Sequence, residues 1–178
     1  MPLEQTCNSV CEVARALEVV GDRWTLLIMR ELTLDMHKFE EIQAVTGMPS
    51  HLLSKRLKRM EDEGLLTRKQ YSRRPARYAY YATPKGKELD GVILALRGWM
   101  LRWGELKRRD EPAIRMVHKK TGRIIDGYWQ IPPSDRPFTF ADVEGSLSVA
   151  FAAEREARRA AFKASKQRST KNRKGRPE

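Results

Sequence analysis

Cysteine, histidine and long apolar runs are all scarce in this chain, and each shortage excludes something. The two cysteines, Cys7 and Cys11, lie close together near the start. They are too few for a disulfide scaffold or a paired-cysteine zinc site, and a reducing cytoplasm fits them. With three histidines there is no His/Cys/carboxylate cluster at metal spacing, no Ser-His-Asp set, and no Gly-rich phosphate loop either. The reading is therefore no enzyme, no metal and no cofactor. No apolar run reaches the roughly 18 residues of a membrane span, so no membrane partner is expected. Met1-Pro2-Leu3-Glu4-Gln5 has neither the basic region nor the apolar core of a signal peptide. Acidic residues are outnumbered, 23 against 35 basic, for a net charge of +12 on 178 residues. Such a balance points to a polyanion, usually nucleic acid; a membrane surface or mere solubility are the other readings of charge alone. The length suits one domain with a good core plus appendages.

What is present centres on residues 39–83. Phe39, Ile42 and Val45 share one face of a short helix over 39–45. Thr46-Gly47-Met48-Pro49 breaks it, because Gly accepts a left-handed backbone and Pro cannot extend a helix. Ser50 caps or opens a second helix to about residue 63, with Leu53, Leu57 and Met60 as its core face and Gly64 as its stop. The β-prone segments 65–71 and 77–82 then bracket a basic turn, Ser72-Arg73-Arg74-Pro75-Ala76. Two helices, a glycine turn and a basic-tipped hairpin predict a winged helix-turn-helix that binds DNA.

Upstream, Asn8-Ser9 could cap a helix carrying Val10, Val13, Ala14, Leu17 and Val20 on one side. Gly21 stops it, and Asp22 can cap a helix over 23–32 whose stripe holds Trp24, Leu27, Ile28 and Glu31. Downstream, Thr83-Pro84 opens a long helix in which Leu89, Val92, Ile93, Leu96, Trp99, Met100, Trp103 and Leu106 recur at three- and four-residue steps. So broad an apolar stripe calls for a second subunit, unless it packs wholly inside one. Segments 114–118 and 123–129 read as a hairpin about Thr121-Gly122, with His118 a surface or hairpin residue. Residues 131–137 form a Pro-rich loop. A helix is possible over 147–162, and from Lys163 onward the composition predicts a disordered basic tail. Such a tail would attract DNA regardless of sequence, or be a solvated end of no consequence.

The stretch from Cys11 through Leu17, Val20-Gly21-Asp22-Arg23-Trp24 with the following Thr25 to Leu32, and Leu53-Ser54-Lys55-Arg56-Leu57 with Gly64-Leu65-Leu66 and Thr83-Pro84-Lys85-Gly86 together resemble the HxlR-type transcriptional regulators. The resemblance covers about residues 7–106. It implies a dimeric, MarR-like winged-helix repressor or activator, its dimer made by the long C-terminal helix and the first one. Asp35 stands where that family often has Gly, and Ala82 where a larger apolar residue is usual. The division expected is 7–108 for the DNA-binding domain, 109–146 for a small β/loop extension and 147–178 for the possible helix and tail. The fold class is α+β, mainly helical, with a two-stranded β wing.

Placing Leu53 at the centre of the buried face sends His51, Lys55 and Lys58 to the opposite side, with Ser50, Ser54 and Arg59 flanking them. Ser50, His51, Ser54 and Lys55 are thus expected to read bases in the major groove. Lys58 and Arg59 should meet phosphates, and Arg56 either a phosphate or a structural partner. Arg73 and Arg74 should reach a minor groove or phosphates, and Arg77 the adjoining strand's backbone. His37 and Lys38, at the start of the first helix of the motif, are candidates for a phosphate. The partner expected is a palindromic operator in double-stranded DNA.

Cys11 matches a cysteine that several HxlR-type regulators use for thiol sensing; Arg15 follows one turn later, a setting that suits thiol chemistry. The alternatives are a small residue in the dimer core, or control by a small-molecule effector near Trp24, Trp99 and Trp103. The rival function is a nonspecific or architectural nucleic-acid binder driven by the basic tail.

Overall fold

The computed structural model describes residues 10–104 and 111–174 of the chain, with side chains described as far as 168. Cys7, the proposed Asn8-Ser9 cap, Leu106 and residues 175–178 lie outside the described residues. In chain order come α1 (Glu12–Val20), α2 (Thr25–Thr33), α3 (Phe39–Thr46) and α4 (Ser50–Asp62). They are followed by β1 (Leu66–Arg73), β2 (Ala76–Ala82), the single turn α5 (Pro84–Lys87) and α6 (Leu89–Trp103). An extension adds β3 (Ile114–His118), a 3-10 turn (Phe140–Asp142), β4 (Val143–Leu147) and α7 (Val149–Lys174).

The main core is assembled by helical periodicity. Leu53, Leu57 and Met60 of α4 are buried together with Ile28, Met29 and Leu32 of α2 and Ile42 of α3, and Leu65 and Leu66 close it from the start of the hairpin. Trp24, Phe39, Tyr80 and Ile93 pack around its edge. Gly47 joins α3 to α4 at φ 71° and Gly64 ends α4 at φ 69°, conformations that cost a side-chain-bearing residue about 1 kcal/mol or more. Asp35, in the family's frequent Gly position, also lies in the left-handed region at φ 63°, which Asp tolerates better than most residues.

Antiparallel β1 and β2 pair from Leu66↔Ala82 to Arg73↔Ala76, with an irregularity between Gln70 and Ser72. The turn is thus only Arg74-Pro75, shorter than the five-residue one expected. The helix expected from Thr83 onward is divided: Thr83 Oγ1 accepts from Gly86 N at 3.1 Å to cap α5, and α6 starts afresh at Leu89.

Three expectations for the extension are corrected. The partner of β3 is β4, in register from Ile114↔Leu147 to His118↔Val143. The hairpin expected about Thr121-Gly122 forms but is short: Val117 bridges Ile124, His118 N donates to Arg123 O and Ile125 N to Met116 O, and the turn closes through Gly122 N donating to His118 O. Asp126-Gly127 follows immediately, and Asp126 Oδ1 accepts from Tyr128 N in a local turn that ends strand pairing. His118 is buried rather than on the surface, bonded to Thr121 and tilted against Trp129. Nor does order end near Lys163, since α7 runs through Lys174. A second core of Ile114, Met116, Ile125 and Phe138 packs on Leu94 of α6 and Phe151 of α7. Asp90 of α6 accepts a hydrogen bond from Phe140 N at 2.8 Å, which fastens the extension to the domain.

Candidate nucleic-acid interface

The outer face of α4 follows from its inner one. With Leu53, Leu57 and Met60 buried, Ser50, His51, Ser54, Lys55, Lys58 and Arg59 are all exposed. Lys58 reaches Asp62 one turn on at 2.6 Å, an exposed pair that a phosphate could replace at little cost. Arg56 is half-buried and turns inward to Asp22, 3.0 Å away. Asp22 also accepts from Trp24 N and Thr25 N, so one carboxylate caps α2 and fixes the angle of α4. Arg59 donates to Glu18 O of α1 at 2.6 Å. Of the basic residues expected on α4, Lys55 and Lys58 therefore face outward, while Arg56 and Arg59 are engaged within the chain.

At the start of α3, His37 is held on both ring nitrogens, by Tyr80 O at 2.9 Å and Asp35 Oδ1 at 3.0 Å, and it stacks on Tyr81. This arrangement sets the approach of the wing to the helical motif, and it leaves Lys38 as the exposed cation there. Lys38 N donates to Glu41 Oε2 and thereby closes the first turn. Backbone bridging of Lys38 to Ala79 ties α3 to β2. On the wing, Arg73, Arg74 and Arg77 are exposed. Arg68 pairs with Glu61 at 3.3 Å and lies over the Tyr78 ring, bracing the base of the hairpin against α4.

A helix over 147–162 is expected from composition, but its docking on this region has no local signal. α7 lies along α3: Arg158 donates to Val45 O at 2.8 Å, Arg159 to Met36 Sδ at 3.0 Å, and Lys166 pairs with Glu40 at 2.6 Å. Its inner end is fixed by Arg155, 2.6 Å from Glu31, both nearly or wholly without solvent exposure. The Glu40 carboxyl is held below its ordinary range by the Lys166 hydrogen bond, with the charge of Arg77 adding to it against a desolvation cost.

The candidate sensing residues are dispersed. Cys11 is exposed at the N-cap of α1. Trp24 packs on the main core, whereas Trp99 and Trp103 are exposed on α6. A cleft of about 430 Å³ opens beside α6, lined by Gly91, Ala95, Gly98 and Arg102 against Tyr128 and Ile131, and none of those three tryptophans lines it. Among the described residues, no group of acidic, His or Cys side chains could hold a metal. No described helix is long and apolar enough to cross a membrane.

Comparison with known proteins agrees with this geometry. The profile of the HxlR-like helix-turn-helix family matches residues 19–108. An uncharacterized HTH-type transcriptional regulator of Mycobacterium tuberculosis (strain H37Rv) is 38% identical over 116 residues, which are 64% of this chain and 71% of that protein. The regulator YvaP of Bacillus subtilis, also uncharacterized, is 32% identical over 90 residues, 50% of this chain and 83% of its own. Among solved structures, the candidate transcription factor PA1607 superposes with a TM-score of 0.60 at 26% identity, over 81% of this chain and 99% of that one.

Proposed function

The chain belongs to the HxlR-like helix-turn-helix family, and from that premise we propose that two copies of it bind a palindromic DNA operator and control transcription, as a repressor or an activator. That it is a DNA-binding transcriptional regulator of the MarR-like kind follows from the family; the family and the relatives are regulators, not enzymes. The proposal places Ser50, His51, Ser54 and Lys55 of α4 at base edges in the major groove, with Lys58 on a phosphate. Arg73 and Arg74 lie on the minor groove or phosphates, Arg77 on the adjoining backbone, and Lys38 on a phosphate at the start of α3. Arg56, Arg59 and His37 act as positioning residues through Asp22, Glu18 and Tyr80. DNA-binding domain, extension and α7 work as one body in the cytoplasm.

The observation that carries the reading is the two-sidedness of α4, whose inner face is core and whose outer face is polar and cationic beside an arginine-tipped wing. Dimerisation is supported by the apolar residues that α1 and α6 leave exposed, among them Val13, Leu17, Leu96, Trp99 and Trp103. Cys11 stands at the edge of that face, so a modified thiol would wedge the interface and release DNA; a small effector is the other means of control. Genomic fragments selected by the purified protein should contain an inverted repeat bound by orders of magnitude more tightly than random duplex. Equal affinity for random DNA would instead favour the architectural reading. Lys55→Ala should narrow the gap between operator and mismatched sites, whereas an equal loss on every sequence would move Lys55 to a phosphate.

A further inference from the structure

We infer that α7 is a third DNA-binding element, whose last turns lie along the phosphate backbone beside the segment gripped by α4 and the wing. This rests on the reading above and extends it to a surface outside the helix-turn-helix.

The direction of α7 is the first argument. Arg158 sits at the C-terminal end of α3, on Val45 O, and Lys166 at its first turn, on Glu40. The two helices are therefore antiparallel, and α7 leaves α3 at the end where Lys38 and the wing strand β2 meet. Eight more helical residues follow Lys166, to Lys174. At 1.5 Å per residue they carry the chain about 12 Å past that point. The first helix of a helix-turn-helix crosses the DNA backbone. An element that continues past its start, beside the wing, follows the same backbone outward.

Charge is the second argument. From Lys163 to the end the sequence has seven Lys or Arg against one Glu. Lys163/Lys166, Arg168/Lys171 and Lys171/Lys174 fall at i,i+3 spacing, where like charges oppose helix formation. Glu40 answers one of these cations. A row of phosphates would turn a repulsive helix end into a favourable one.

The third is rigidity. α7 is not a loose tether, because Phe151 is set in the second core and the Arg155–Glu31 pair is buried. Arg158 and Lys166 seat it on α3 as far as Glu40, so a contact made beyond that point should fall at a set distance from the operator.

The test uses the full chain carrying Arg168→Gln, Lys171→Gln, Arg173→Gln and Lys174→Gln, with helix content checked by circular dichroism. Binding is measured across a salt series on two duplexes, the operator trimmed to its ends and the same operator with about ten flanking base pairs on each side. On the flanked duplex the slope of log affinity against log salt should become shallower by about 2 to 4. On the trimmed duplex variant and wild type should coincide. Equal slopes on the flanked duplex would show a solvated helix end and overturn the inference. The same loss on both duplexes would show undirected attraction and overturn it too. In either case a reduced slope for Arg73→Ala/Arg74→Ala would leave the winged-helix reading standing. Failure of that reading would appear separately, as no preference of the wild type for operator over random DNA.

Discussion

A carboxylate with no solvent exposure must be answered by charge, and Glu31 is answered from two helices. Arg30, next to it in α2, bonds through Nε at 3.1 Å, and Arg155 of α7 lies 2.6 Å away from the other side. Removing one member of a buried pair strands the other, at roughly 3 to 5 kcal/mol; half-buried Arg30, still beside Glu31, offsets part of that. Arg155→Met should therefore destabilise the fold by about 3 kcal/mol in urea unfolding. The double variant Glu31→Leu/Arg155→Met should recover most of the loss, since no buried charge remains unpaired. A single variant as stable as the wild type would mean that solvent reaches Glu31 when α7 is undocked. The burial of Glu31 was legible, because it shares the helical stripe of Trp24, Leu27 and Ile28. Its partner was not: no local spacing links α2 to the last helix. The same limit applies to Arg56 and His37. Periodicity places Arg56 near the edge of the core face and the helix start places His37, but their inward partners, Asp22 and Tyr80, depend on how distant segments pack.

Among the elements, α4 and the wing were the most legible, since both are specified by local pattern. A period of 3.6 placed Leu53, Leu57 and Met60 inside and Lys55 and Lys58 outside, as found. The wing's contribution can be isolated because its arginines touch neither core. Arg73→Ala with Arg74→Ala should leave unfolding unchanged, weaken operator binding and reduce the salt slope by about one to two. An undiminished slope would take the wing off the DNA. The extension was less legible, because pairing between β3 and β4 brings together segments separated by a long loop, and composition alone suggested the nearer partner. The helix begun near residue 147 was legible, but its continuation past Lys163 was not, for a different reason. Little apolar content after Lys163 points to disorder, yet Ala, Lys, Arg and Gln are good helix formers, and a helix already docked on α3 needs no further core to continue.

For the whole molecule the decisive matter is the covering of α1 and α6. Leu96, Trp99 and Trp103 are 51%, 54% and 72% exposed, on a helix that otherwise packs inward through Leu94 and Gly98. Val13 and Leu17 of α1 are exposed as well. Large apolar side chains at regular steps on two helices form a patch of the kind that subunits bury, and a twofold pairing through it would present two copies of α4 to one operator. Joining the copies matters energetically. Once one recognition helix is seated, the second binds as if at millimolar concentration, a gain of about 10² to 10⁴ without any new contact. Leu96→Glu with Trp99→Glu should therefore give a folded monomer by sedimentation velocity, since neither residue belongs to a core. Its affinity for the full operator should fall about a hundredfold or more, while its affinity for an isolated half-site stays at the wild-type value. A variant that remained dimeric would move the interface away from α6, and a monomer that held the full operator as tightly as the wild type would remove the need for pairing altogether.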